Sequence, residues 1–241
     1  LADIVLPEIP KLRLEVDEHH HHKDVYEHSI TVLEQAIELE DRLGGPNLVI
    51  RIAALLHDIG KPKTRAFIEG GGVSFHHHEV VGARLAKKRL QALRFDNETI
   101  DAVELLTMLH LRFHGYGEGE WTDSAVRRYV RDAGEFITHL HVLTRADCTT
   151  RNKTKAARLS ATYDSLEARI DVLMEQEELS KIRPDLDGAQ VMELLQIKPS
   201  AAVGKALDFL LELRLENGPL GEERAKAELL NWWREHQREN S

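Results

Sequence analysis

The sequence predicts an all-α protein, and two observations lead to this fold class. Apolar residues recur at helical spacing through most of the chain, and glycine, proline or a capping residue interrupts them at intervals. Only the segment 67–75, which contains three consecutive glycines, has the short pattern of a β-hairpin. The 241 residues suffice for one large domain, or for one domain and a smaller one, with a buried core.

The predicted helices follow one another closely along the chain. The first covers 26–43 and stops at Gly44-Gly45-Pro46, and Asn47 caps a second helix that runs through Ile59. Arg183-Pro184 ends the last long helix and opens a smaller helical tail. Between these points, helices are predicted at 77–93, 97–112, 122–132, 135–149 and about 154–179.

Composition excludes several classes of protein. With 42% hydrophobic and 30% charged residues, the chain is globular rather than disordered. No apolar run can span a bilayer and no signal-peptide pattern is present, so we expect no membrane partner. Cys148 is the only cysteine, which excludes an internal disulfide and indicates a cytoplasmic location. A net charge of −9 argues against a general polyanion binder but allows a local basic face.

The most informative residues are His57 and Asp58, which follow an apolar helix. An unpaired carboxylate in an apolar wall is costly, so a cation is its natural partner. Other histidines and aspartates fall near the ends of the neighbouring predicted helices. The candidate metal ligands are, in chain order, His28, His57, Asp58, His78, His110 and Asp147.

This ligand set suits one or two divalent metal ions. Imidazole and carboxylate ligands fit Fe, Mn, Ni, Co or Zn, or Mg with more oxygen ligands. Six ligands exceed what one open catalytic metal takes, whereas two ions bridged by Asp58 would use them all. A one-metal site would not need His78 and His110, and His76 and His77 are alternatives to His78.

The order of these residues resembles the signature of the HD-domain phosphohydrolases. His28, His57-Asp58 and Asp147 match that signature, and His78 and His110 match the additional histidines of members with two metals. The resemblance implies a helical HD-domain bundle that hydrolyses phosphomonoesters or phosphodiesters, with 2′,3′-cyclic phosphodiesterase and phosphatase activity as the family theme.

A narrower resemblance is to the HD region of bacterial CCA-adding tRNA nucleotidyltransferases, most of all the actinobacterial type. It is carried by the segments 24–29, 57–65 and 75–83, and the tail motif 183–188 resembles the helical RNA-binding tail of those enzymes. The resemblance implies an HD phosphohydrolase domain over residues 1–160 and a small C-terminal RNA-binding tail domain over 161–241. No strand-rich nucleotidyltransferase head precedes His28, so we expect part of a longer protein or a stand-alone relative that does not itself add CCA.

Basic residues near the ligands indicate contact with phosphates. Asp58 is the predicted catalytic carboxylate, and Lys61 and Arg65 could each reach a phosphate oxygen of a nucleotide. The alternative for Lys61 is a solvated loop lysine. The densest basic run, which we expect to contact tRNA or another RNA, comprises Arg145, Arg151, Lys153, Lys155 and Arg158.

Two other functions stay open at the level of sequence. The chain could be a catalytically silent tRNA-binding body, or a nucleotide hydrolase of another HD branch, although the tail motif argues against the latter. The sequence leaves the metal and the oligomeric state undetermined.

Overall fold

The computed structural model describes residues 2–13, 24–69, 72–116, 121–150, 152–177 and 182–239. Within these residues the protein is helical apart from a two-stranded antiparallel sheet, β1 (Ala66–Phe67) and β2 (Val73–Ser74), in which Ala66 pairs with Ser74 and Phe67 with Val73. The prediction of an all-α fold is therefore confirmed. Among the described residues, no helix has the length and apolar character that a membrane crossing requires.

The helices lie close to their predicted positions. They are α1 (Ala2–Val5), α2 (Val25–Glu38), α3 (Leu48–Leu56), α4 (Lys61–Thr64), α5 (His78–Ala92), α6 (Asn97–Leu109), α7 (Asp123–Ala133), α8 (Ile137–Asp147), α9 (Lys153–Glu177), α10 (Gly188–Leu195), α11 (Ala201–Asn217) and α12 (Glu222–Glu239). Short 3₁₀ helices lie at Ile9–Leu12, Glu40–Leu43, Arg112–Gly115 and Gly134–Phe136. These 3₁₀ turns shorten several predicted helices by a few residues.

The chain divides into two compact units. The first comprises residues 1–119 and 133–166, and the second comprises 120–132 and 167–241. Helix α9 contributes its N-terminal part to the first unit and its C-terminal part to the second, and the predicted domain boundary at residue 160 lies within it. The assignment of a phosphohydrolase role to 1–160 and an RNA-binding role to 161–241 stays a prediction.

In the first unit, polar caps start the helices that carry the candidate ligands. The carboxylate of Asp24 accepts a hydrogen bond from Tyr26 N at the start of α2, and the Asn47 side chain accepts one from Ile50 N at the start of α3. Asp96 caps α6 in the same way. Such caps satisfy backbone N–H groups that have no partner within the helix.

The core of the first unit holds these helices together. Helix α2 packs against α3 and α8, α3 also packs against α6, and α5 packs along α6. The side chains at their contacts are fully buried, among them Val32, Ile50, Leu56, Leu106 and Leu143. Burial of each such side chain contributes about 1.5 to 3 kcal/mol. The apolar stripes therefore bring together the helix ends on which the ligands lie.

Gly60 allows the turn after α3 to lie directly against α5. A Cβ at this position would lie 2.1 Å from His78 O and 2.7 Å from Gly82 N, both of which are backbone atoms. Any larger residue would separate the turn that carries His57 and Asp58 from the helix that carries His78.

We expect Gly60→Ala to destabilise the first unit by about 1 to 3 kcal/mol, because neither backbone atom can move without repacking α5. Urea unfolding followed by circular dichroism measures the change. The matched control is Gly204→Ala, since a Cβ on Gly204 meets nothing within 4 Å and lies inside α11. It should be neutral or stabilising by up to about 1 kcal/mol. Equal effects of the two substitutions would show that the close approach at Gly60 is unimportant.

The second unit has a core of its own. Helices α10, α11 and α12 bury Leu186, Val191, Leu210 and Leu229 between them. A capping box formed by Asp187 and Gln190 starts α10 at the end of the predicted tail motif 183–188. Asp187 thus starts the first helix of the smaller helical tail that the sequence predicts after Arg183-Pro184.

Arg127 of α7 is a buried cation within the second unit. Its guanidinium donates to both carboxylate oxygens of Glu177, at 2.7 and 2.8 Å, and to the carbonyl oxygens of Leu215 and Glu216 at the end of α11. Arg127 is only 6% exposed. The neighbouring Arg128 is more exposed and pairs with Glu212 and Glu216.

Arg127→Ala should destabilise the second unit by about 3 to 5 kcal/mol, because it leaves the largely buried Glu177 carboxylate and two carbonyls in the last turn of α11 without their donor. Arg128→Ala is the matched control on the same helix and should cost less than about 1 kcal/mol, since its ion pairs face solvent. Urea titration of both variants provides the comparison. An Arg127→Ala loss below about 1 kcal/mol would contradict this role.

Candidate metal centre

The six predicted metal ligands lie at or near helix ends of the first unit. His28 is in the first turn of α2, His57 and Asp58 directly follow α3, His78 begins α5, His110 directly follows α6, and Asp147 ends α8. The four histidines and Asp58 are each at most 7% exposed. The structure therefore brings together all six residues that the sequence singles out, five of them buried and Asp147 partly buried.

Their donor atoms form two groups of three. One consists of His28, His57 and Asp147, and the other of Asp58, His78 and His110, and within each group the donor atoms lie within 4.8 Å of one another. In the first group, His28 Nε2 lies 2.9 Å from Asp147 Oδ1 and 3.3 Å from His57 Nε2.

The carboxylate of Asp58 lies between the two groups. Its Oδ2 atom is 3.2 Å from His57 Nε2 and 3.7 Å from His28 Nε2. Its Oδ1 atom is 3.2 Å from His78 Nε2 and 3.9 Å from His110 Nε2. One oxygen therefore faces each group, which is the arrangement that a bridging carboxylate requires.

Backbone carbonyls orient three of the imidazoles. The Nδ1 atoms of His57, His78 and His110 lie 2.8, 2.8 and 2.7 Å from the carbonyl oxygens of the residues three positions earlier. Since a carbonyl can only accept, each Nδ1 carries a proton, and Nε2 is the nitrogen that faces the centre. Hydrogen bonding of the second ring nitrogen is typical of metal-binding histidines.

The donor atoms at the centre are poorly satisfied by the protein alone. The Nε2 atoms of His78 and His110 are buried and make no hydrogen bond of acceptable geometry with the residues that the structure describes. Buried polar atoms without partners are rare in native proteins and call for an explanation such as an ion. The donor set of imidazole and carboxylate fits a first-row divalent metal in each group.

Electrostatics supports a cation at this position. Burial lowers the pKa of His57, but the carboxylates of Asp58 and Asp147 outweigh burial and raise it to about 9. Burial and the charge of His57 together lower the pKa of His110 to about 3. Against the effect of burial, His57 and Lys61 hold the pKa of Asp58 well below its usual range. The carboxylates are thus charged and attract a proton to His57, and a metal ion would replace that proton.

The two predicted phosphate-binding residues have different surroundings. Lys61 is 6% exposed, its Nζ lies 2.9 Å from Asp58 Oδ2, and it also lies 5.6 Å from the ring centroid of Phe75. It is therefore buried beside the ligands and is not a solvated loop lysine. Arg65 is exposed at the end of α4, with its guanidinium 5.0 Å from the ring centroid of Phe67.

The predicted RNA-binding residues also differ from one another. Lys153, Lys155 and Arg158 are exposed in the first turns of α9. Arg145 instead donates to Asp164 at 2.6 Å and lies 5.2 Å from the ring centroid of Tyr163. Arg151 falls outside the described residues.

The structure adds Thr149 to the site and separates the histidines of the run 76–78. Thr149 Oγ1 lies 3.2 Å from His28 Nδ1, and Thr149 is buried. Its position two residues after Asp147 was the only signal for it in the sequence. Of the three consecutive histidines, His78 is buried at the centre, whereas His76 and His77 are exposed.

Comparison with known proteins establishes the class. A family model described as HD domain matches residues 25–152, more than half of the chain, and the matched region contains all six candidate ligands. The chain therefore belongs to the HD-domain family. HD domains bind divalent metals, and the two groups of donors could hold them.

Two curated proteins that match nearly the whole chain are tRNA nucleotidyltransferases. The chain is 29% identical to the A-adding tRNA nucleotidyltransferase of Deinococcus radiodurans over 233 residues. This alignment covers 96% of the chain and 52% of that protein. The chain is 33% identical to the CC-adding tRNA nucleotidyltransferase of Thermus thermophilus over 232 residues. This alignment covers 93% of the chain and 49% of that protein. A shorter match joins 38% of the chain to 20% of the Multifunctional CCA protein of Neisseria meningitidis, at 34% identity.

These similarities confirm the resemblance to the HD portion of CCA-adding tRNA nucleotidyltransferases. The chain spans about half the length of the first two relatives that it matches.

The two groups of donors predict how many metal ions each chain binds. We expect the protein, loaded with Mn²⁺ and desalted, to retain two ions per chain, and His78→Ala to retain one, because His78 belongs to only one group. His76→Ala is the matched control and should retain two, since His76 is an exposed neighbour in the same histidine run. Elemental analysis by mass spectrometry counts the ions. Full retention in His78→Ala would contradict the second group.

Proposed function

We propose that this chain is a metal-dependent phosphohydrolase, of the 2′,3′-cyclic phosphodiesterase and phosphatase type, that acts on nucleotides or RNA 3′ ends. The observation that carries the proposal is the position of Asp58, whose two carboxylate oxygens face separate groups of buried donors. Paired metal sites joined by a carboxylate suit the hydrolysis of phosphate esters.

The residues of the chain have distinct roles in this proposal. His28, His57 and Asp147 would hold one ion, and His78 and His110 would hold the other, with Asp58 shared between them. Bound divalent metal supplies a water molecule of lowered pKa and positive charge for the phosphate oxygens. The carbonyls that bind the Nδ1 atoms keep the imidazoles oriented, so that the site needs little rearrangement to act.

Lys61 adds a fixed positive charge to this site. Because its ammonium group is buried and paired with Asp58, it helps to offset the charge of the buried carboxylates. The same ammonium would stabilise negative charge on a phosphate bound beside Asp58. Arg65, on the exposed side of α4, would reach only a longer substrate.

For tRNA or another RNA, we propose the start of α9 as the contact surface. Lys153, Lys155 and Arg158 are exposed there, and Arg151 precedes them in the sequence. Arg145 is the weakest member of this set because Asp164 already pairs with it. A tRNA substrate agrees with the activity for which the two relatives are named. A cytoplasmic location is proposed on the single cysteine of the chain alone.

A second candidate is that the chain serves as a tRNA-binding body without hydrolytic activity. It is favoured by one observation, namely that the relatives matched over nearly the whole chain are named for nucleotide addition to tRNA. A nucleotide hydrolase of another HD branch would need a different substrate preference, which a panel of nucleotides would reveal.

Asp58→Ala tests the proposed function. We expect wild type to hydrolyse 2′,3′-cyclic AMP with Mg²⁺, Mn²⁺, Ni²⁺ or Co²⁺. Asp58→Ala should lose at least about 100-fold in turnover, because each group loses the oxygen of Asp58 that faces it. Asp101→Ala, at an exposed aspartate of α6, is the matched control and should keep wild-type turnover. Release of 2′- or 3′-AMP is followed by chromatography.

The same proteins separate the two candidates when tRNA binding is measured. Asp58→Ala should bind tRNA as wild type does, whereas Lys153→Ala/Lys155→Ala should bind more weakly and with a smaller salt dependence. Hydrolysis that survives Asp58→Ala would refute the metal mechanism. A wild type that binds tRNA but hydrolyses no phosphoester with any of the four metals would establish the silent body.

A further inference from the structure

A pocket of about 320 Å³ lies in the first unit, and none of the six candidate metal ligands lines it. It is formed by the 3₁₀ helix Ile9–Leu12, by α4 with the turn before it, and by the last turns of α5. Its volume is at the lower end of the range of about 300 to 1,000 Å³ that small-molecule sites occupy. That size suits one small ligand, and a nucleic acid duplex would not fit.

Three lysines give this pocket its charge. Lys11, Lys63 and Lys88 line it from its three separate elements, and all three are exposed. None of them forms an ion pair with a residue that the structure describes, whereas the adjacent Lys87 donates to Glu104 at 2.6 Å. Three lysines that line one pocket without a carboxylate partner give it a positive potential, which an anion would lower.

The one acidic residue of the lining does not neutralise these lysines. Both carboxylate oxygens of Glu8 accept hydrogen bonds from the Arg89 guanidinium, at 2.7 to 3.1 Å. In a bidentate pair of this kind the two charges neutralise each other, and the hydrogen bonds fix both side chains. The lining therefore keeps a net charge equal to that of the three lysines, in a chain whose net charge is −9.

The remaining wall of the pocket is apolar. Ile59 and Pro62 form one side, and Leu85 and Ala92 of α5 form the other. A free inorganic anion would use the lysines alone and leave this wall in contact with water. A ligand with a phosphate and a flat, largely apolar ring would cover both parts of the pocket.

We propose that this pocket binds a single nucleotide unit, with its phosphate on Lys11, Lys63 and Lys88 and its base against Pro62, Leu85 and Ala92. The unit is either a free nucleotide or one nucleotide of a single-stranded RNA, since both present the same phosphate and base. The site is separate from the metal centre and does not depend on the phosphohydrolase activity.

Binding of AMP to the full chain tests the proposal, measured by calorimetry in wild type, Asp58→Ala and Lys11→Ala/Lys88→Ala. We expect Asp58→Ala to keep the affinity of wild type for this site, because Asp58 does not line the pocket. The lysine double variant should bind AMP at least about tenfold more weakly, because it loses two of three phosphate contacts. Lys198→Ala/Lys205→Ala removes the same charge from two exposed lysines of the second unit and should leave AMP binding unchanged.

Two further measurements identify the ligand. Ala92→Trp fills the apolar side of the pocket without changing its charge, and it should weaken AMP but not inorganic phosphate. A short oligoribonucleotide is the second probe. If its affinity falls in the Lys11→Ala/Lys88→Ala variant while AMP binds wild type only weakly, the natural ligand of the pocket is a nucleotide of an RNA strand.

Two results would overturn the proposal. The first is that wild type and the lysine double variant bind AMP and the oligoribonucleotide with the same affinity, or that wild type binds neither ligand. The second is that inorganic phosphate binds as tightly as AMP and that Ala92→Trp does not weaken AMP binding. The pocket would then be an anion site and not a nucleotide site.

Discussion

The buried carboxylate of Asp58 is the constraint on which the first unit depends. A charged carboxylate at 1% exposure is costly unless cations or donors surround it. The fold meets this requirement with Lys61 at 2.9 Å and with imidazoles on both sides of the carboxylate. Since His57 follows one helix and His78 begins another, the packing of α3 against its neighbours and the position of α5 both determine whether Asp58 can remain charged.

Helix ends solve the geometric part of the problem. A side chain just past a helix C-terminus can bind a free carbonyl of the last turn with one ring nitrogen and direct the other away, as His57 and His110 do. Gly60 then lets the turn approach α5 closely enough for His78 to reach the same carboxylate from the opposite side. Packing of ordinary apolar helices thus produces a centre whose donors are oriented before any metal binds.

The structure brings the six candidate ligands together, and the sequence singled them out because they are out of place among apolar neighbours. A histidine and an aspartate after Leu55-Leu56 have few structural explanations, and the order of the other ligands along the chain adds to the signal. Helix boundaries were less accurate by a few residues, because the 3₁₀ turns at 40–43 and 112–115 continue the helical pattern without being α-helical. Thr149 was missed since a threonine after a helix is common.

Charge pairing between distant residues could not be predicted from local sequence. Arg145 belongs to a basic run, yet Asp164 of α9 pairs with it from 19 positions away. Conversely, Lys11, Lys63 and Lys88 are far apart in the sequence, and only the fold places them on one pocket. Local composition therefore predicts some basic surfaces whose charges are already paired, and it misses others that only the fold assembles. Whether a basic side chain can bind a phosphate depends on its ion pairs in the folded protein.

The central claim is that Asp58 joins two metal-binding groups. A crystal structure of the Mn²⁺-loaded protein, with anomalous differences measured at the manganese edge, tests it most directly. The account predicts two anomalous peaks, one bound by His28, His57 and Asp147 and one by His78 and His110, with one oxygen of Asp58 bound to each. A single peak, peaks that do not contact Asp58, or no peak among these six residues would contradict it.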